Sequence, residues 1–327
     1  MILILSQISL EETTNAVIDW LELSKANYKK MSLEDFLHSP LSFTFEGKKM
    51  NVTFSITREL EIKVDDINII WNRRWSPHND YTKYTEHELL NNRINVQVGN
   101  ELKKMNSLLF SILAKKKWLS YPETANVHKL KVLEIANEVG IRIPETIITN
   151  NKLSLSIFKN RYNKIITKSI GEGIFLPYEG KTFCQYTSVV TDEAIKNAED
   201  YFFPSLFQEY VEKEIELRIF YLDQCCYSMA IFSQNNKKTE IDFRKYDVIN
   251  PNRYVPFRLP KLVEEKINEL MAKLNLNTGS IDMIKSKNNE YVFLEVNPKG
   301  QFGMVSIPCN YYLEKKVAHY LIKNDEK

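Results

Sequence analysis

Residues 280–303, SIDMIKSKNNEYVFLEVNPKGQFG, constrain the fold of this chain more than any other stretch. Two apolar runs, SIDMI and YVFLEV, flank the polar turn KSKNN, which is the pattern of a β-hairpin. Each run carries an acidic residue that a buried strand avoids, Asp282 in the first and Glu295 in the second. A period of two puts Asn297 on the same face of its strand as Glu295, and strand pairing can bring Asp282 alongside. Three oxygen-bearing side chains on one sheet face suit a hard, octahedral Mg²⁺ whose other positions are filled by nucleotide phosphates. The bland alternative is an edge strand whose charges face water. The burial pattern and the N-P-x-G turn at 297–300 argue against it.

The 327 residues suggest two or three domains and suffice for a sizeable core. A formal net charge of +2 makes no general electrostatic case for nucleic acid or membrane. No run approaches the length of a transmembrane helix. The start, MILILS, lacks a basic region and a cleavage site and reads as a first strand rather than a signal peptide. The four cysteines, Cys184, Cys225, Cys226 and Cys309, show no CxxC spacing. They read as free thiols in a reducing cytoplasm.

Taken in order, residues 1–6 predict a strand and Thr14–Leu23 a helix, with Val17, Ile18, Leu21 and Leu23 at near-helical spacing. LSFTFE and NVTFSI predict a hairpin around a Gly47-Lys48-Lys49 turn. The run IKVDDINIIWNRRW ends in Trp71, Arg73, Arg74 and Trp75. Arg73 and Arg74 read either as solvated charge at a strand end or as a contact to an anion or carboxylate at a domain junction. Residues 86–117 predict a helix whose end carries Lys115, Lys116 and Lys117 as a charge complement.

Leu130, Leu133, Ile135, Ala136 and Val139 predict an amphipathic helix that Gly140 stops, with IRIPETIIT the strand after it. A short helix over 152–160 precedes the strand NKIITKSI, which carries Lys168. The loop SIGEGIFLP then places Gly171 and Gly173 just beyond that lysine. Such a loop wraps phosphates in some folds and is a flexible hairpin tip in others, and it matches neither the P-loop nor the dinucleotide fingerprint. FCQYTSVV predicts one strand and TDEAIKNAED a capped helix. LFQEYV predicts a short strand, and EIELRIFYL another with Glu216 and Arg218 on one face. In NNKKTEIDFRKYD, Asp242 and Arg244 fall on one side of an extended segment. PNRYVPFRLP reads as loop because prolines interrupt it. KLVEEKINELMAKLNLN is an amphipathic helix, and 308–323 a closing helix.

In this order, the lysine at a helix start, the lysine with a Gly loop, Q-E-Y-V, E-x-R, D-x-R and Asp…Glu-x-Asn resemble the ATP-grasp ligases over about residues 115–325. Within them, IIWNRRW, KWLSYPETANVHKLKVL, ELRIFYL and SQ…T-x-I-D-F-R-x-Y-D resemble the macrocyclising peptide ligases of the microviridin and graspetide type, especially the grasp-with-spasm branch. The fold implied is α/β (α+β), with the nucleotide held between two α+β units after a small N-terminal domain. The expected boundaries are 1–114 for the N-terminal α/β domain, 115–205 for the central subdomain and 206–327 for the C-terminal subdomain.

The resemblance implies residue roles. Lys129 and Lys168 hold ATP phosphates, with Gly171 and Gly173 in the loop beside them. Gln208, Glu209, Tyr210 and Val211 form the hinge strand whose backbone reads the adenine, and Glu216 takes the ribose. Arg218 holds phosphates or orients Glu216. Asp282, Glu295 and Asn297 bind two Mg²⁺ ions. Arg244 takes the acyl phosphate or the acceptor carboxylate, and Asp242 either orients Arg244 or acts as base.

The route implied is phosphorylation of a peptide Asp or Glu side chain by ATP, because a carboxylate oxygen does not leave at neutral pH. A Thr, Ser or Lys side chain then closes an ester or amide ring, and the protein positions and neutralises charge. The partner implied is a ribosomal precursor peptide, with the hairpin near residues 171–187 and the loop after it as the candidate docking places for its leader. A homodimer and a cytoplasmic setting are also implied, with no nucleic acid and no membrane. Competing readings are an ATP-grasp ligase that joins free amino acids or extends a terminus, and a nucleotide-binding regulator without catalysis.

Overall fold

The computed structural model describes residues 1–8, 11–38, 41–46, 49–57, 60–75, 83–124, 127–171, 173, 175–245 and 247–326. Its contacts divide the chain into two compact units, Met1–Ala125 with Tyr312–Lys327, and Asn126–Tyr311. The Gly47-Lys48 part of the expected turn, Glu172 and Ile174 of the Gly loop, and Tyr246 lie outside the described residues.

The first unit begins with β1 (Ile2–Leu5), α1 (Glu12–Leu23), β2 (Tyr28–Met31) and α2 (Leu33–His38). A small antiparallel sheet follows, formed by β3 (Leu41–Glu46), β4 (Lys49–Thr57) and β5 (Leu60–Lys63). Then come β6 (Ile69–Asn72), α3 (Glu88–Leu113) and β7 (Lys117–Leu119). Strands β2-β1-β6-β7 make a parallel sheet. ILIL in β1 is buried along its whole length, as a parallel strand covered on both faces requires. The helix Leu313–Asp325 packs on α1, burying Leu313, Val317, Ala318 and Leu321. Asp325 at its end pairs with the N-terminal amine at 2.6 Å.

The second unit opens with α4 (Lys129–Glu138), β8 (Thr146–Asn151), α5 (Lys152–Tyr162) and β9 (Ile165–Lys168). Next are β10 (Phe175–Tyr178), β11 (Lys181–Cys184), β12 (Ser188–Val189), α6 (Asp192–Asn197) and β13 (Tyr201–Glu209). Then β14 (Lys213–Leu222), β15 (Cys225–Phe232), β16 (Arg253–Phe257), α7 (Lys261–Lys273), β17 (Thr278–Ser286), β18 (Tyr291–Asn297) and α8 (Gly303–Cys309) complete it. Two antiparallel sheets result, β12-β9-β13-β8 and β16-β15-β14-β17-β18, with β10-β11 as a separate ribbon.

One face of the five-stranded sheet is covered by α4 and α7. Val132, Leu133 and Ala136 of α4 and Ile267, Leu270 and Met271 of α7 pack on Leu217, Ile219, Tyr221, Ile281, Met283 and Phe293. Each such large apolar side chain contributes roughly 1.5–3 kcal/mol. α4 stops at Gly140, whose φ of +74° suits a residue without Cβ. On the opposite face α8 covers one part of the sheet, with Phe302 packed on Phe220 at 4.6 Å between ring centroids, and the rest is left for the site.

Several expectations are corrected. FCQYTSVV is two strands, because the Thr187 amide leaves the ladder to bond Asp242 Oδ2 at 3.0 Å. PNRYVPFRLP contains β16, an edge strand in which Pro256 opposite Met229 removes no needed donor. Asp242 and Arg244 sit in turns rather than on an extended segment, with the Lys245 amide bonded to Asp242 O. The single helix expected over 308–323 is two, broken where Asn310 and Tyr312 take positive φ. Its second half packs with the first unit, so residues 313–325 do not stay with 206–311.

Candidate functional site

Since Ile215, Leu217, Ile219 and Tyr221 of β14 lie under the helices, a period of two turns Glu216 and Arg218 to the open face. Register then aligns Arg218 with Asp282, and Asp282 with Glu295, across three adjacent strands. A strict alternation would send Glu295 to the same side as buried Phe293. The register shift between Asp282 and Met283 leaves Leu294 as an extra residue, a bulge that keeps Phe293 in the core and turns Glu295 toward Asp282. After Asn297 the chain turns at Gly300, where an added Cβ would fall 2.4 Å from Ser280 Cβ. Asn297 Oδ1 accepts the Lys299 amide at 3.0 Å and keeps a second lone pair.

Cations surround the two carboxylates. Arg218 Nη1 donates to both Asp282 oxygens at 2.5 Å. Lys129, the first residue of α4, stands 3.3 Å from Glu295. Lys168, at the end of β9, lines the same cleft. Burial, with repulsion from Lys129, pulls its pKa below the ordinary lysine value against the opposing pull of Glu295. Burial disfavours ionised Glu295, but Lys129 and Lys168 together outweigh it and lower its pKa. Asp282 is displaced the other way: burial, with the charge of Glu295 adding to it, raises its pKa in spite of Arg218.

The cleft opens to solvent at its mouth. Gln208, Glu209, Tyr210, Val211 and Glu216 line it, as do Asp242, Arg244, Asp282 and Glu295. Its apolar walls include Ile166, Ile284 and Leu294. Gln208 Nε2 donates to Thr146 Oγ1 at 2.9 Å. Tyr210 and Glu209 give their amides to Lys164 O and Glu145 O. The Glu209 side chain meets Arg142 Nη2 at 3.1 Å. Gly171 and Gly173 are exposed beyond β9 and are not among the described residues that line the cleft.

Asp242 is 4% exposed and both of its oxygens are occupied. Arg244 Nε and Nη2 reach it at 2.8 and 2.6 Å, and the amides of Arg244 and Thr187 bond it as well. Burial opposes the charged form of Asp242, and these bonds outweigh it, so its pKa falls below the usual value of 3.8. The folded protein therefore binds this proton less tightly than the unfolded chain does. The stabilisation is fully present above pH 3.8 and is lost as pH falls through the lower folded value. Asp242→Asn should lower the thermal midpoint at neutral pH and lower it far less well below pH 3.8. Equal losses at both pH values would refute the assignment.

Arg73 and Arg74 belong to the first unit. There Glu11 at the start of α1 holds both, at 3.9 Å to Arg73 Nε and 3.1 Å to Arg74 Nε. Burial lowers the pKa of Arg73 to about 10 although Glu11 opposes it. The carboxylate these arginines meet in the structure is thus one of the chain's own. Four site residues were not singled out from the sequence: Lys213, Ser233, Thr187 and Arg142. Lys213 is buried and donates to Glu216 Oε1 at 2.8 Å, and Ser233 Oγ donates to the same oxygen. The one signal for Lys213 is a basic residue three places ahead of Glu216, which plain alternation assigns to the opposite face.

The donor set fits Mg²⁺. Asp282 and Glu295 are register partners, Asn297 adds a neutral oxygen, and all three are hard ligands. Among the described residues no group of three or more His, Cys, Asp and Glu side chains gathers around a metal position. Two carboxylates and an amide bind such an ion together with phosphates rather than alone.

This architecture, two antiparallel α+β layers flanking a cleft of lysines and carboxylates, is the ATP-grasp fold. Comparison with solved structures places it there over nearly the whole chain. A RiPP-associated ATP-grasp ligase from Chryseobacterium gregarium, in complex with ADP and a leader and core peptide, superposes with a TM-score of 0.82 at 24% identity, covering 98% of this chain and 95% of that one. A macrocyclase from Microcystis aeruginosa bound with its precursor peptide gives 0.80 at 23% identity, covering 98% and 99%. D-alanyl-alanine synthetase A from Vibrio cholerae gives 0.54 at 14% identity, covering 99% and 96%. No family model matches the sequence, and no curated protein does. Among the described residues no helix is long and apolar enough to cross a membrane.

Proposed function

We infer that the protein is an ATP-dependent peptide ligase. It activates Asp or Glu side chains of a ribosomal precursor peptide as acyl phosphates and closes ester or amide macrocycles with Thr, Ser or Lys side chains. One observation carries this reading: a single cleft holds a phosphate-type lysine, a facing carboxylate pair, a buried ribose-type glutamate and an aspartate-braced arginine. The ADP, leader and core peptides bound to solved neighbours of the same fold support it.

Lys129 and Lys168 hold phosphates as point charges. The edge after β13 reads adenine through the Val211 amide and the Glu209 carbonyl, since the amides of Glu209 and Tyr210 are committed elsewhere. Glu216 takes the ribose, and Arg218 fixes Asp282. Bound with the nucleotide at Asp282, Glu295 and Asn297, Mg²⁺ offsets charge on the transferred phosphoryl group. Asp242 orients Arg244: a carboxylate with both oxygens filled and a lowered pKa is a poor base at neutral pH. Arg244 presents the peptide carboxylate, then steadies the acyl phosphate. The leader docks on the β10-β11 ribbon, where Leu176 is paired with Phe183 and Tyr178 lies two residues on, all three exposed on one face. Two Mg²⁺ ions, a homodimer and a cytoplasmic setting belong to this reading and rest on the family resemblance.

The test is incubation with ATP, Mg²⁺ and a leader-bearing peptide rich in Thr, Ser, Asp and Glu, read by mass spectrometry. Ring closure removes one water per ring, and omission of the leader slows it. A gain in mass would instead mark a ligase that adds residues, and no ADP release with any peptide would point to a nucleotide-binding regulator.

A further inference from the structure

Lys213 is 3% exposed, and its partner Glu216 is 7% exposed. A buried ammonium costs several kcal/mol in desolvation, and apolar replacements of buried pairs are often tolerated, so stability alone gives weak reason to keep one. Its geometry has a particular direction. Nζ donates to Glu216 Oε1 at 2.8 Å and to the carbonyl of Ile241 at 3.3 Å. Glu216 is the carboxylate at the nucleotide side of the cleft. Ile241 precedes Asp242, which holds Arg244 on the acceptor side. One ammonium therefore joins two parts of the cleft that meet different substrates.

The local backbone is shaped to make this contact. Lys213 and Glu216 are three residues apart, so regular alternation would place them on opposite faces. Between Lys213 and Ile215 the register with β17 shifts, leaving Glu214 as an extra residue. The bulge reverses the phase, sends Glu214 to solvent and its ion pair with Lys285, and turns Lys213 inward. Ser233 Oγ also binds Glu216 Oε1, so this oxygen is fully engaged, and the second oxygen of Glu216 remains for a ligand. Thr239 Oγ1 bonds Ser233 O and Asn252 Oδ1, which stiffens the same connection from β15 to β16.

We propose that Lys213 is a positioning residue shared by both substrates, orienting Glu216 for the nucleotide and clamping the Ile241–Arg244 turn for the peptide carboxylate. The proposal rests on the ligase reading above. Ser233 serves mainly the nucleotide half, because its hydroxyl donates to Glu216 and touches the Ile241 side only through Gln234, whose Nε2 lies 3.4 Å from it and 3.1 Å from Glu240 O.

The test measures dissociation constants of a non-hydrolysable ATP analogue with Mg²⁺, and of the precursor peptide in its presence, by calorimetry on the full chain. Lys213→Met should weaken both by about tenfold, the scale of one lost charge-assisted hydrogen bond at each. Lys213→Arg should restore most of each. Ser233→Ala should weaken nucleotide binding and leave peptide binding within about twofold. Where Lys213→Met fails to fold by circular dichroism, Lys213→Gln takes its place, with the same expectation for the peptide. Loss of nucleotide affinity alone in the Lys213 variant overturns the shared role while leaving the ligase reading intact. A wild-type protein that binds neither ligand overturns both.

Discussion

Joint replacement of Glu295 by Gln and Asn297 by Ala is expected to reduce peptide-dependent ATP turnover by on the order of 10³-fold or more, with fold and leader binding retained. The size follows from what the two residues share. Glu295 is the carboxylate on which Lys129 converges and whose charge draws on Lys168. Its loss leaves Lys129 without its ion-pair partner and removes one of the two carboxylates proposed to hold Mg²⁺. Asn297 contributes the neutral oxygen at the same end of β18. Neither side chain belongs to the apolar core, because the Leu294 bulge keeps Phe293 and Val296 there. Thermal unfolding and affinity for the isolated leader are the controls. Turnover within about threefold of wild type would remove the carboxylate pair from the mechanism.

The parts of this site that were legible in the sequence are those set by local periodicity. The 280–297 hairpin, the helices α4 and α7, the Gly140 stop and the shared face of Glu216 and Arg218 all follow from spacings of two or of three and four residues. What was not legible depends on single extra residues and on distant partners. The bulges at Glu214 and Leu294 each invert a face, and no composition rule marks them. Lys213 is hidden for that reason, in a run of alternating charges that reads as a solvated strand. The break in FCQYTSVV comes from Asp242, 55 residues away along the chain, taking the Thr187 amide. The helix Leu313–Asp325 is obvious as a helix, yet its packing on α1 depends on contacts nearly 300 residues apart. Arg73 and Arg74 show the opposite limit, since their residue types fit anion binding and the carboxylate found beside both inside the first unit is the buried Glu11.

Arg244→Lys is expected to lower ring formation about 10²-fold or more while nucleotide affinity stays within about twofold. Arg244 is 50% exposed at its side chain, yet Asp242 grips its Nε and Nη2 edge. The hydrogen bonds to Asp242 come first among the influences that raise its pKa, so it stays charged throughout the working range. This grip fixes the plane of the guanidinium and leaves Nη1 to meet a second anion. Lysine keeps the charge but has no planar fork, so it cannot satisfy Asp242 and the peptide carboxylate in one fixed geometry. ADP release that depends on peptide should fall in parallel, because an unpresented carboxylate is not phosphorylated. Asp242→Asn should fall between wild type and Arg244→Lys, since the amide still accepts one guanidinium bond. An Arg244→Lys enzyme that closes rings at a wild-type rate, or that loses nucleotide affinity as strongly as ring formation, would move Arg244 from the acceptor to the phosphate side of the cleft.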